Sequence, residues 1–415
     1  MTNAELAAML LAVVALLTAA HLGGYLFEKL GLPRVGGEIA GGLLLGPSGL
    51  GYFAPALQAG VFAAFPGQER FLGALYWIGL VMLMFVAGFR LRGKLPSEDN
   101  RTVTIITLAA IILPFAAGIL APAFVDLSAH RGPAASTLSF GLVFAIAFAV
   151  TSIPVISKIF LDLGMMETRF AAIILAAATI EDIVLWMALA VATKLATHSA
   201  VEPTTLASAV AVTILFLGLS IWSGPPLLHW AARFRFNVAL KGSRTGFVLV
   251  VCFIFAALAA ALDVNIVFGA LIAGILVGTL PAEEFKEVRG RIADVSLGLL
   301  VPLYFAIVGF KLNLIRDFDV GLTLGFLVVS SIVKIGCVAI GARVAGHRWE
   351  PAVNFAVAMN TRGGPGIVLA TIAYEFGLIA ASLFVTLVIV AVLTSVLSGA
   401  WLRFVVSRRG TLDIA

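Results

Sequence analysis

Long apolar runs separated by short polar clusters recur from one end of the 415-residue chain to the other. A helix that crosses a bilayer needs about 20 mostly apolar residues, and backbone exposed to lipid must be helical or closed into a barrel. These runs are too long and too uniformly apolar for the alternating strands of a barrel. Thirteen spans are predicted, at 5–27, 33–52, 71–91, 102–124, 136–161, 168–196, 204–232, 245–262, 265–280, 292–310, 319–345, 351–374 and 378–404. The Gly-rich 33–52 run and the closely joined 245–262 and 265–280 pair fit the pattern least well. The expected fold class is an all-α polytopic membrane protein with 13 transmembrane helices. Met1 to Leu11 carries no base and one acid, Glu5, so the first run does not read as a cleavable signal.

Composition narrows the function classes. Hydrophobic residues make up 61% of the chain and charged residues only 12%, against roughly 25% charged in a soluble domain. That excludes a disordered chain, a nucleic-acid partner and an ordinary soluble enzyme, and makes membrane lipid the expected surrounding. Cys252 and Cys337 both lie in apolar runs and read as small buried hydrophobes rather than a disulfide or thiolate cluster. With no His/Cys metal array and no Ser-centred nucleophile motif, neither an enzyme nor a bound cofactor is expected.

The net charge of +5 takes its meaning from where the charges fall. With the N-terminus outside, 20 of the 27 basic residues lie on the inside, including Arg90, Arg92, Lys94 and Arg101 in one loop and Arg233, Arg235, Lys241 and Arg244 in another. Five lie outside, and Lys334 and Arg362 fall within spans. This bias predicts thirteen spans with the N-terminus outside and the C-terminus cytoplasmic.

Two spans carry interruptions at corresponding places. The fifth reads FAIAFAVTSIPVISKIF, with Thr151, Ser152 and Pro154 near its middle. Pro154 lacks an amide hydrogen and clashes with the preceding turn, while Thr151 and Ser152 can re-satisfy freed backbone or coordinate an ion. The twelfth reads AVAMNTRGGPGIVLATI, with Asn360, Thr361, Arg362, Gly363, Gly364 and Pro365 in succession, a run that a continuous lipid-facing helix would not choose. If spans 2–6 repeat as 9–13, the two breaks are equivalent and their offset of seven spans makes the repeats inverted. Discontinuous helices in matching positions point to a transport site; a Pro that merely kinks a packed helix is the competing reading. The repeat rests on span count and break position, without strong residue identity between the halves.

Ionisable groups within the spans are few and costly there. Glu181 and Asp182 are adjacent at the middle of the sixth span, and consecutive helical residues point about 100° apart. One acid is expected to face a cation site and the other a base. Lys334, central in the eleventh span, is expected to pair with Glu181 or Asp182, since an unpaired buried amine is expensive. Arg362 is expected either to neutralise freed carbonyl dipoles or to hold a carboxylate such as Glu375 or Glu38. Glu38 and Asp294 either line an ion path or face a polar rim. Asp263 and Asn265 fall in a short exterior turn, where a capping role is expected.

These pieces resemble the monovalent cation:proton antiporter family 2 over almost the whole chain. LPRVGGEIAGGLLLGPSGLG is similar to that family's second span, AFAVTSIPVISKIFLDLG to its first crossing helix and AATIEDIVLW to its paired acids. VPLYFAIVGFKL and AVAMNTRGGPGIVLATIAYEFG resemble its tenth span and second crossing helix. The resemblance implies the Na+/H+ antiporter fold, with crossed discontinuous helices. It also implies a homodimer whose dimerisation domain comprises 1–95 and 244–311, a core transport domain of 101–197 and 319–406, and a linker helix at 203–236. By motif position Asp182 matches the essential ion- and proton-binding acid and Lys334 the base that pairs with its neighbour. Glu181 stands where many electrogenic members have Asp, many electroneutral ones Asn and Kef-type systems Gln.

The implied activity is antiport of a monovalent cation for protons by alternating access in a cell inner or plasma membrane. Na+ is preferred, with Li+ as surrogate, and exchange is electrogenic. K+/H+ antiport, proton-coupled movement of another solute, and a channel are the alternatives. Kef-type systems carry a nucleotide-binding domain after the spans; the chain reaches only Ala415 and has no Walker or Rossmann fingerprint, so a standalone antiporter is expected.

Overall fold

The computed structural model describes residues 2–90, 99–196, 203–234, 238–262 and 264–409. Arg92, Lys94, Arg235 and Asp263, with the domain edges placed at 95, 197 and 236, lie outside the described residues. Helices follow one another in the order α1 (Asn3–Lys29), α2 (Arg34–Leu45), α3 (Leu50–Phe53), α4 (Pro55–Phe62), α5 (Gln68–Arg90), α6 (Asn100–Phe124), α7 (Thr137–Ala149), α8 (Ile153–Asp162), α9 (Arg169–Ala196) and α10 (Pro203–Arg233). They continue with α11 (Val238–Gly242), α12 (Arg244–Ala261), α13 (Ile266–Gly278), α14 (Ala282–Val295), α15 (Val301–Lys311), α16 (Leu314–Asp317), α17 (Val320–Val344), α18 (Trp349–Met359), α19 (Gly363–Glu375) and α20 (Ala381–Arg409). No strand occurs among the described residues; one isolated bridge joins Arg131 and Ile379.

Ten helical stretches among the described residues are long and apolar enough to cross a membrane, counting α7–α8 and α14–α15 each as one. The remaining three of the thirteen predicted spans take other forms. The 33–52 run forms only a 12-residue α2, because Gly46 leaves helical geometry and the chain turns through Pro47 into α3. The 265–280 run is the 13-residue α13, capped by Asn265, whose side chain accepts from the Val267 amide at 2.9 Å. The 351–374 run is the broken pair α18 and α19. The predicted 292–310 span also extends backwards, since the charged α14 runs through a π turn at Ser296–Leu300 into α15. Pro302 has no amide hydrogen for the Gly298 carbonyl; His21 Nε2 lies 2.9 Å from that oxygen.

The chain divides into two compact units, residues 1–92 with 208–316 and residues 93–207 with 317–415. Within the first unit, two helix pairs meet in the same way. Gly42 of α2 and Gly46 just beyond its end lie against the backbone of Ala306 and Phe310 of α15, and Gly309 lies against Ile39. In α13 and α5, Gly274 and Gly278 face Phe85 and Phe89 while Gly88 faces Leu271, with identical spacings. A side chain at Gly42 or Gly274 would strike the partner backbone, so close approach is the reason for glycine there.

The second unit shows a matching turn in each half. Gly164 (φ 68°) follows α8 and Gly377 (φ 66°) follows α19, both in the left-handed region that favours glycine. The next amide closes each turn, Met165 on the Phe160 carbonyl at 2.7 Å and Leu378 on that of Ala373 at 2.8 Å. Seventeen and eighteen residues beyond Gly164 stand Glu181 and Asp182; the same steps from Gly377 reach Thr394 and Ser395. The two halves thus share a register that residue identity conceals.

Burial separates peripheral from interior helices. Of the apolar window of α1, 17% is buried, against 83% for α7–α8. Phe160, Phe170 and Phe355 fasten α8, α9 and α18, with the last two rings stacked at 4.5 Å. Phe326 of α17 meets Phe144 and Phe148 of α7 edge-on at 5.3 and 5.1 Å.

Candidate functional site

Two helix breaks form the centre of the second unit. After α7 ends at Ala149, Val150 and Ser152 are extended, and α8 begins at Ile153. Pro154 occupies the first turn of α8, where a missing amide costs no helical bond. It therefore starts a half-helix instead of kinking a continuous one. The Ser152 hydroxyl caps that start, accepting from the Val155 amide at 3.4 Å.

In the second break α18 stops at Met359 and α19 starts at Gly363, whose φ is +40°. A Cβ there would also lie 2.6 Å from Ser152 Oγ, so both conformation and space call for glycine. The breaks are tied together: the Ser152 amide donates to the Thr361 carbonyl at 2.5 Å, and Thr151 Oγ1 donates to the Met359 carbonyl at 2.6 Å.

A helix end leaves carbonyls without intrahelical partners and carries partial negative charge. At the end of α7, Arg362 Nε donates to the Ala147 carbonyl at 3.1 Å and its second terminal nitrogen to that of Phe148 at 3.5 Å. Lys334 Nζ donates to the Ala149 carbonyl. Arg362 also donates to Asn360 Oδ1 at 2.9 Å, and Asn360 Nδ2 to Ser331 Oγ at 3.2 Å. Of the two partners expected for Arg362, the structure places carbonyls beside it and not Glu375 or Glu38.

Lys334 Nζ lies 3.0 Å from Glu181 Oε2, and both side chains are wholly buried. The pair resolves which acid meets the base. Asp182 points elsewhere on α9, is also buried, and its Oδ1 has no hydrogen-bond partner among the described residues. Glu181 Oε1 and Thr361 Oγ1 are likewise buried without one. Glu181 interacts with Thr151 and with Arg362, and Asp182 with Glu181 and Lys334, so the two acids and two bases form one electrostatic cluster.

The other expected ion-path residues are not part of this cluster. Glu38, buried in α2 of the first unit, accepts from Arg34 Nε at 3.0 Å, and Arg34 reaches His21 Nδ1 at 2.9 Å. Because arginine only donates, His21 Nδ1 accepts, which leaves Nε2 to donate to the Gly298 carbonyl. Asp294 is exposed on α14 and Glu375 is exposed at the end of α19. Sequence reasoning passed over Ser331, Ser398 and Thr394. Ser398 Oγ donates to the Val357 carbonyl at 2.9 Å, and Thr394 Oγ1 accepts from the Arg362 amide at 3.3 Å. Thr394 could have been found by counting from Gly377 as Glu181 is counted from Gly164.

Residues 14–408 match the family described as sodium/hydrogen exchanger, transmembrane. The chain belongs to this family. Among its relatives is the Na(+)/H(+) antiporter NhaS4 of Synechocystis sp., 27% identical over 93% of this chain and 94% of that protein. The Na(+)/H(+)-K(+) antiporter GerN of Bacillus cereus is 25% identical over 94% of this chain and 95% of its own length. Cation/H(+) antiporter 18 of Arabidopsis thaliana is 26% identical over 93% of this chain, which spans 47% of that protein. The structure of the sodium proton antiporter MjNhaP1 from Methanocaldococcus jannaschii matches with a TM-score of 0.69 at 15% identity, covering 96% of this chain and 98% of that one. That likeness establishes the antiporter fold.

Proposed function

We propose that this exchanger-family chain is a secondary antiporter that trades Na+, and also Li+, for protons by alternating access, with Asp182 as the shared binding group. The observation that carries this reading is the Asp182 carboxylate, buried with an unpartnered oxygen beside the Glu181–Lys334 pair and the helix breaks. A carboxylate can hold a proton or a cation but not both at full strength, so each displaces the other. Thr151 and Ser152 offer neutral oxygens nearby. Thr151 gives its hydrogen to Met359 and keeps lone pairs for a cation.

Coupling follows from charge. With both acids and both bases ionised the cluster is neutral, and an added cation leaves one positive charge in a low-dielectric interior. Release of the Lys334 proton as the cation engages the acids restores neutrality. With the proton that Asp182 gives up before the cation binds, two protons then move against one cation, and exchange is electrogenic. The first unit serves as a dimerisation and gate domain of a homodimer, and the second as the moving core. The protein sits in a cell inner or plasma membrane with its N-terminus outside and its C-terminus in the cytoplasm.

The test is proton movement in proteoliposomes carrying a pH gradient, with Na+, Li+ or K+ added in turn. Cation-dependent dissipation with Na+ and Li+ is expected. Flux without proton counterflow would instead indicate a channel. The reversal potential separates stoichiometries, and a reversal insensitive to membrane voltage would sink the electrogenic reading. Potassium is a second reading, favoured by the Bacillus cereus relative named for both cations, and the K+ addition decides it.

A further inference from the structure

The hydroxyls around the two breaks are not equally occupied. Thr151 Oγ1 donates to Met359, Ser152 Oγ accepts from Val155, and Ser398 Oγ donates to Val357. Thr394 Oγ1 accepts from the Arg362 amide and donates to the Val390 carbonyl at 2.9 Å, and Ser395 Oγ donates to that of Ala391 at 2.7 Å. Thr361 differs from all of them. It is wholly buried, its hydroxyl has no hydrogen-bond partner among the described residues, and its backbone is fixed by the Ser152 amide on its carbonyl.

A buried hydroxyl left without a partner weakens the fold, so its retention there calls for an explanation. Its surroundings supply one. Thr361 lies between Asn360 and Arg362 and is bonded through its carbonyl to Ser152. Glu181 lies 3.0 Å from Lys334, whose amine also donates to the Ala149 carbonyl at the end of α7, next to this break. Glu181 Oε1 and Asp182 Oδ1 are the unpartnered carboxylate oxygens of the same cluster. Arg362, the next residue, turns its charge onto the Ala147 and Phe148 carbonyls, so the guanidinium is bound to the end of α7. A small monovalent cation takes oxygen ligands, and a neutral hydroxyl adds one without altering the cluster's charge.

Resting on the antiport reading above, we propose that the Thr361 hydroxyl is a ligand of the transported cation, completing with Asp182 a site fed by both broken helices. Thr361 then sets cation affinity, while the protons are carried by Asp182 and Lys334. The second broken helix contributes to substrate recognition as well as to support.

The test uses the full-length protein with two readouts: Na+-dependent thermal stabilisation in detergent, and Na+-dependent proton flux in proteoliposomes at fixed pH. Thr361→Val keeps the shape and removes the hydroxyl; Thr361→Ser keeps the hydroxyl. Thr371→Val removes another buried, unpartnered hydroxyl, on α19 about 12 Å along the helix from its start at Gly363 at 1.5 Å per residue. Thr361→Val is expected to raise the half-saturating Na+ concentration about tenfold in both readouts, the loss of one ligand contact, while the maximal rate at saturating Na+ is kept. Thr361→Ser and Thr371→Val should stay near wild type.

Unchanged Na+ dependence in Thr361→Val would overturn the proposal, as would an equal shift in Thr361→Ser or Thr371→Val. So would the absence of any Na+ stabilisation in the wild type. Stabilisation with the expected pattern but no flux would refute antiport and leave the ligand assignment standing. If Thr361→Val fails to fold, an unshifted half-saturating concentration in Thr361→Ala overturns the proposal and a tenfold rise supports it.

Discussion

The two helix breaks are built alike but closed by different chemistry. At the end of α7 two protein cations cover three carbonyls, Arg362 on Ala147 and Phe148 and Lys334 on Ala149. At the end of α18, hydroxyls do the work: Thr151 covers Met359 and Ser398 covers Val357. Both ends present partial negative charge, yet only one attracts fixed positive charge. The same asymmetry runs through the register, where Glu181 and Asp182 in one half stand opposite Thr394 and Ser395 in the other. The comparison teaches that all four strong charges are gathered around the first break, whereas the second supplies neutral oxygens. On the antiport reading proposed above, a cation entering between them would meet carboxylates on one side and hydroxyls on the other, with both bases already engaged.

Breaking the charged end should cost most. Lys334→Ala leaves Glu181 as an unpaired buried charge, and about 3–5 kcal/mol of stability should be lost, read as a large fall in melting temperature in detergent. Adding Glu181→Gln should recover part of it. Next comes Arg362→Ala, which strips charge-assisted bonds from two carbonyls and should cost about 1.5–3 kcal/mol. Gly363→Ala probes the contact between the breaks, where positive φ and the nearby Ser152 hydroxyl should together cost about 1–3 kcal/mol. Ser398→Ala, at the neutral end, should cost only about 1 kcal/mol. Equal losses at Ser398 and Arg362 would contradict the asymmetry.

Much of the site was legible because charge is scarce within the spans. Glu181, Asp182, Lys334 and Arg362 stand out in any apolar run, and Pro154 and the Gly363–Pro365 segment announce backbone that cannot remain helical. What could not be read was direction. Adjacent acids point about 100° apart, and only the folded position of Lys334 gives it to Glu181 and leaves Asp182 Oδ1 without a partner among the described residues. Arg362 offers the same ambiguity: its sequence context names charge and break, while its actual partners are carbonyls on a helix more than 200 residues away. The internal repeat was legible in span count but not in register. It is written in backbone approach at Gly42 and Gly274 and in two left-handed turns, and helix packing of that kind constrains size more than identity. The short α2 was missed because hydropathy measures apolar length and does not see the helix leave at Gly46.

The central claim is that one carboxylate, Asp182, serves both proton and cation. It is tested most directly by measuring Na+-driven proton movement in proteoliposomes for wild type and Asp182→Asn reconstituted at equal density. The account predicts Na+-dependent collapse of an imposed pH gradient in the wild type and none above empty vesicles in Asp182→Asn, with expression and melting behaviour retained. Exchange that survives in Asp182→Asn at a rate comparable to wild type would contradict it.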